Sequence, residues 1–150
     1  MKLLLVCLLL AAVTTLTKGR RALCNPGTWC PYGGRSYIFI ATPKSWAYAQ
    51  MFCQSLGGTL AVIHNRNTND FLRTLSSRMD TWIGFSDAQY NGVWLWINSE
   101  RVVFRNWCRG EPNNSGGNQD CAIINFKGED CWDDEVCMAN RPFVCERENE

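Results

Sequence analysis

The period of apolar positions changes several times along this chain. SYIFIAT, from Ser36, alternates and is rich in β-branched and aromatic residues, which predicts a strand. PKSWAYAQMFCQSLG follows, with Trp46, Ala49 or Gln50, and Cys53 at helical spacing, Pro43 near the start and Gly57-Gly58 as a stop. That pattern predicts an amphipathic helix. TLAVI is a short strand, and NRNTNDFLRTLSSR, from Asn65, predicts a second helix with Phe71, Leu72 and Leu75 turned inward. TWIGFSD is a buried strand. Beyond Asn91 the chain breaks into short strands and long polar loops, with VWLWIN at their centre and AIINF and RPFVCER toward the end. There are no repeats, low-complexity segments or linkers, so the pattern describes one α+β domain with its helices first and its loops later.

One apolar run belongs to none of these elements. MKLLLVCLLLAAVTTLTKGRR opens with a lysine, runs apolar from Leu3 to Val13 and turns small and hydroxylic, the pattern of a secretory leader. It is too short to span a bilayer, and no later segment has the roughly 18 apolar residues a membrane helix needs. We expect a leader over residues 1–19, with cleavage between Thr17 and Ala22, a short extension over 20–29 and the domain over 30–147. The expected product is secreted and extracellular.

Charge narrows the function classes. Fifteen basic and fourteen acidic side chains leave a net charge of +1, so nothing in the overall balance points to nucleic acid or an acidic membrane surface. Of nine cysteines, Cys7 leaves with the leader; the other eight form an even set in an oxidising compartment and read as four disulfides. No CxxC pair suggests zinc. Trp82, Trp94, Trp96 and Trp107 sit in or beside strand-like segments and read as core. His64, the single histidine, reads as surface or hydrogen-bonded structure rather than catalysis.

Two loops carry the oxygen chemistry: EPNNSGGNQDC, residues 111–121, and CWDDEVC, residues 131–137. Together with GGTLAVIHN from Gly57, WIGF at Trp82, GVWLW from Gly92, NWCRGEPN from Asn106, QDC at Gln119 and WDD at Trp132, they resemble a C-type lectin-like domain. The resemblance covers roughly residues 30–147. It implies two helices flanking antiparallel strands, with a long loop for calcium and ligand. It implies disulfides Cys53–Cys145 and Cys121–Cys137; a Cys108–Cys131 pair is similar to one in the fish type II antifreeze branch. Cys24 and Cys30 are left for each other, or for an intermolecular link. The usual N-terminal hairpin pairing is missing, because its second position is Ser36.

Calcium takes six to eight oxygens from carboxylates, amides and water. Glu111, Asn113, Gln119, Asp133 and Asp134 stand where the family places its calcium ligands, and Glu111, Asn113, Gln119 and Asp133 where it places sugar contacts, with a cis bond expected at Pro112. Sugar binders of the family usually carry Glu at the position of Gln119 and Asn at that of Asp133. The exchange conserves ligand charge but reverses hydrogen-bond polarity on one side, since a hydroxyl has one proton and two lone pairs. EPN implies mannose-type ligands; the reversed pair resembles galactose-type sites. Asp87, Asn91, Asn114 and Asp120 match positions of additional calcium, with fewer carboxylates than usual, so one strong site at most is expected. Asn113-Asn114-Ser115 is the chain's one N-x-S sequon, and a glycan on Asn113 would block the site; we read it as unmodified. The expected function is a secreted calcium-dependent lectin in defence. Alternatives are ice binding and a protein-binding or toxin-like use of the fold. An enzyme is the least favoured class, because the acid cluster lacks a recognisable base or nucleophile.

Overall fold

A computed structural model describes residues 24–149; the expected leader and the first residues of the extension lie outside them. β1 (Cys30–Tyr32) and β2 (Arg35–Lys44) form a hairpin that turns through Gly33 and Gly34, both at positive φ, where a side chain would be strained. α1 spans Trp46–Ser55 and ends at Gly57, whose positive φ lets Gly58 N–H return to Cys53 O at 3.0 Å. α2 spans Arg66–Leu75, and the Asn65 side chain accepts from Thr68 N–H at 2.8 Å to cap it. The remaining strands are β3 (Thr59–Leu60), β4 (Thr81–Ser86), β5 (Leu95–Trp96), β6 (Cys121–Ile124), β7 (Asp133–Glu135) and β8 (Arg141–Glu148). They order as β1-β2-β8-β4-β6-β7, with β3 on β8 and β5 on β4. Every pairing is antiparallel except β4 with β8, where Trp82 meets Phe143.

Alternation along the strands splits the core between the two faces. Trp82, Ile123 and Phe143 join Ala49 and Cys53 of α1; Ile83, Phe85, Ile124 and Val144 join Leu72 of α2 and Trp132. The helices therefore cover different core clusters of one sheet, an α+β arrangement with the C-type lectin-like layout. Each fully buried large side chain contributes about 1.5–3 kcal/mol. Gly84 is a packing necessity: a Cβ there would meet Ile97 Cγ2 at 2.6 Å and Leu60 O at 2.9 Å.

Three segments differ from the pattern reading. Only the first two residues of TLAVI pair as a strand. Ala61 to Ile63 are wholly buried and pass between β8 and β4, where Ala61 N–H donates to Val144 O at 2.9 Å and Ala61 O accepts from Gly84 N–H at 2.8 Å. VWLWIN shrinks to Leu95–Trp96 because Val93 and Leu95 face solvent while Trp94 and Trp96 anchor the turn. The DDE of WDDE, read as loop, is strand β7 against β6, with Asp134 opposite Ala122.

Four disulfides close the described chain. Cys53–Cys145 ties α1 to β8, Cys121–Cys137 ties the start of β6 to the segment after β7, Cys108–Cys131 joins the two polar loops, and Cys24–Cys30 closes a short N-terminal loop.

Candidate functional site

The two polar loops meet because their bases are bonded side by side. Trp132 N–H donates to Asn106 O at 2.7 Å and Cys108 N–H to Trp132 O at 2.8 Å, with the Cys108–Cys131 disulfide alongside. Trp132 is fully buried against Phe85, Trp96, Phe104 and Trp107, and its indole N–H donates to Asn69 Oδ1 of α2 at 2.8 Å. The residues that follow, Asp133 and Asp134, therefore leave a rigid aromatic layer at a fixed angle.

Glu111, Asp133 and Asp134 converge, with one carboxylate oxygen from each within 4.8 Å of the others. Asp134 is completely buried, and its two oxygens accept from Asn113 N–H at 3.1 Å and Asn114 N–H at 2.6 Å. Those bonds hold the 111–114 segment onto β7. The Glu111–Pro112 peptide is cis, and on its two sides Asn113 Nδ2 donates to Glu111 Oε1 at 3.0 Å. Gln119 joins through Ser115, whose backbone N–H donates to Gln119 Oε1 at 2.8 Å and to Asn113 Oδ1 at 2.9 Å. The structure thus brings all five residues into one region. Asp133 faces Glu111.

The electrostatics of the cluster are unbalanced. Burial, then a hydrogen bond and the negative charge of Glu111, then the charge of Asp134, push Asp133 up to about 7. Glu111 Oε2 is buried, and with Asp133 ionised it has no hydrogen-bond partner. Such an oxygen costs free energy unless a proton or cation reaches it. The donor set suits a hard ion: three carboxylates with two amide carbonyls beside them, all oxygen, no thiolate or imidazole.

Asp87, Asn91, Asn114 and Asp120 lie next door. Asp87 N–H donates to Asp120 O at 3.1 Å, Asn114 Oδ1 accepts from Gln119 N–H at 3.0 Å, and Asn114 Nδ2 reaches Asn91 Oδ1 at 3.5 Å. Asp87 is buried with one oxygen on Gly92 N–H at 2.8 Å, and burial, chiefly, raises its carboxyl above the usual range. No second three-carboxylate cluster forms among the described residues.

One positioning group escaped the pattern reading. Asp130 accepts from Asn69 Nδ2 at 3.1 Å and Arg66 Nη1 at 3.2 Å, with Arg73 at 3.6 Å, while Asn106 Nδ2 donates to its carbonyl at 3.0 Å. It fastens α2 to the base of both loops. The sequence signal was an aspartate just before Cys131-Trp132, and its partners lie about 60 residues upstream in α2. His64 pairs with Glu100, a structural contact.

Comparison with known proteins agrees with this fold. The model of the lectin C-type domain matches residues 42–147. Ladderlectin of Oncorhynchus mykiss is 36% identical over 122 residues, covering 78% of this chain and 64% of its own length. The galactose-specific lectin nattectin of Thalassophryne nattereri is 34% identical, covering 84% and 82%, and the type-2 ice-structuring protein of Hemitripterus americanus is 34% identical, covering 80% and 72%. Among solved structures, herring type II antifreeze protein superposes with a TM-score of 0.78 at 28% identity, covering 84% of this chain and 100% of that one. The motifs, the disulfide-stapled sheet and the matched model together place this chain in the C-type lectin domain family.

Proposed function

We propose that this chain is a secreted, calcium-dependent carbohydrate-binding module, with Glu111, Asn113, Gln119, Asp133 and Asp134 as the cation's ligands. The observation that carries the reading is the convergence of Glu111, Asp133 and Asp134 around a buried, unpartnered Glu111 oxygen. Held by these residues, calcium would supply Lewis-acidic attraction for the oxygens of two vicinal hydroxyls. The chain's own groups then decide which hydroxyls are accepted. Glu111 accepts a hydroxyl proton while Asn113 Nδ2 donates to the oxygen; Gln119 and Asp133 offer the same pair in reverse order. The EPN side favours mannose-type ligands, and we place the chain in defence against glycan-bearing surfaces. The reversed side, and the similarity to a galactose-specific lectin, support galactose as the alternative. The relatives named above are lectins and an ice-structuring protein, which supports a binding role over an enzymatic one. No helix among the described residues is long and apolar enough to cross a membrane. The leader-like N-terminus supports secretion, with residues 30–147 as the working module.

Thermal unfolding with and without calcium tests the metal. With an affinity of about 0.3 mM, in the range of extracellular modules, 10 mM calcium stabilises by about 2 kcal/mol. Asp134→Ala is expected to erase that increment. Equal melting temperatures of the unsubstituted protein in calcium and in chelator would overturn the assignment. A glycan array in calcium then reads the sugar.

Ice binding is the second reading, favoured by the Cys108–Cys131 disulfide and the likeness to type II antifreeze structures. Thermal hysteresis in chelator and in calcium decides it.

A further inference from the structure

The near-neutral net charge conceals a local excess. Arg35, Arg66, Arg73 and Arg141 reach carboxylates, and both described lysines and Arg147 lie over aromatic rings. Four arginine side chains among the described residues make no ion pair, hydrogen bond or ring contact: Arg78, on the turn after α2, and Arg101, Arg105 and Arg109. The last three stand at four-residue intervals in the segment that runs into Glu111. All three are exposed, and between 101 and 105 exposure alternates, so Arg101, Val103 and Arg105 share the outer face while Val102 and Phe104 turn inward. The segment is held firmly: Phe104 packs edge-on to Trp132 at 5.7 Å, Asn106 bonds to Asp130, and Cys108 is bridged to Cys131. Arg109 sits on the turn that Glu111 N–H closes onto Cys108 O at 3.0 Å. Four residues span at most about 14 Å, so the three arginines are spaced along one segment whose end, at Arg109, is two residues from Glu111 of the acid cluster.

We propose that Arg101, Arg105 and Arg109 form an anion-binding strip beside the cation site, and that its occupant is an acidic glycan whose sulfate or carboxylate groups lie on the row. The charge argument is complementarity: a row of fork-shaped cations without internal counter-charges, on a backbone that pays little ordering cost, suits a chain carrying repeated oxyanions. Choosing a glycan rests on the carbohydrate reading above; the strip does not depend on calcium. An acidic glycan would then be held twice, by neutral hydroxyls at the cluster and by its anionic groups on the arginines.

The test is binding of the mature protein to immobilised dextran sulfate and neutral dextran, each in calcium and in chelator, across a salt series. The expected result is salt-sensitive binding to dextran sulfate that persists in chelator. Replacing all three arginines by Gln lowers it at least about tenfold, at unchanged melting temperature, while Arg→Lys at the same positions retains most of it and Arg78→Gln leaves it intact. Full binding by the triple Gln variant, or an equal loss in Arg78→Gln, overturns the strip. Equally tight capture of phosphatidylserine vesicles through the same arginines overturns the choice of a glycan in favour of a membrane surface. Dextran sulfate binding with no calcium-dependent binding to any neutral sugar supports the strip and defeats the reading of the acid cluster instead.

Discussion

Glu111 and Asp133 turn like charges toward one another, and the wrong residue for that contact is Asp133, where the family's sugar binders usually carry Asn. In Asp133→Asn the amide donates to the unpartnered Glu111 oxygen, so this variant is expected to unfold at a higher temperature than the wild type in chelator, yet to bind calcium more weakly. Adding Gln119→Glu restores the ligand charge; the double variant should recover calcium affinity and bind mannose more tightly. Titration calorimetry with calcium and mannose inhibition check both halves. A wild type that already prefers mannose, with the double variant no better, would show that the EPN side dominates. Glu146 is a second residue whose charge is costly. It is 2% exposed, and burial raises its carboxyl to about 7 despite Arg35 at 3.7 Å. A folded-state value above the unfolded one means stability is complete below about 4.5 and falls as pH rises through 7. Glu146→Gln should therefore gain roughly 2 kcal/mol relative to wild type between pH 5 and pH 8, read from denaturant midpoints. Such single-residue energetics were not visible in the sequence, because VCER marks a strand but not which of its polar residues is buried.

At the scale of elements, legibility followed periodicity. α2 was readable because its apolar residues recur at helical spacing behind an Asn cap, and β4 because TWIGFS is continuously apolar and bounded by polar turns. β7 was not, since two aspartates and a glutamate carry no strand propensity; the strand exists because β6 offers it a ladder and the Trp132 layer fixes its start. The five candidate site residues were legible only through the family resemblance, and the structure adds the bonds that gather them. The loops themselves hold their shape through the Cys108–Cys131 bridge, which closes a separation of 23 residues. Removing it with Cys108→Ser and Cys131→Ser should cost about 3 kcal/mol and weaken calcium binding, whereas removing Cys24–Cys30, far shorter and outside the loops, should leave calcium binding as it is. Denaturation in chelator and calcium titration of the two variants separate these effects, and peptide mapping without reductant confirms the pairs.

For the whole molecule, the order β1-β2-β8-β4-β6-β7 sets the last strand between β2 and β4 and the acid-bearing strand at the edge far from the β1–β2 hairpin. The Cys53–Cys145 disulfide spans 92 residues and locks α1 to β8, so its loss through Cys53→Ser and Cys145→Ser is expected to cost about 4–5 kcal/mol and to lower the melting temperature in calcium and chelator alike. The pairing of Arg35 with Glu148, with Ser36 bonded to Asn149 at 2.6 Å, brings the start of β2 and the end of the described chain to one spot. An attachment made at that spot leaves the interior undisturbed. Because two strands, β4 and β6, separate that spot on β2 and β8 from the acid-bearing β7, copies mounted there on a common scaffold would keep their acid-bearing edges free, and weak single contacts would add up to firm adhesion on a densely decorated surface.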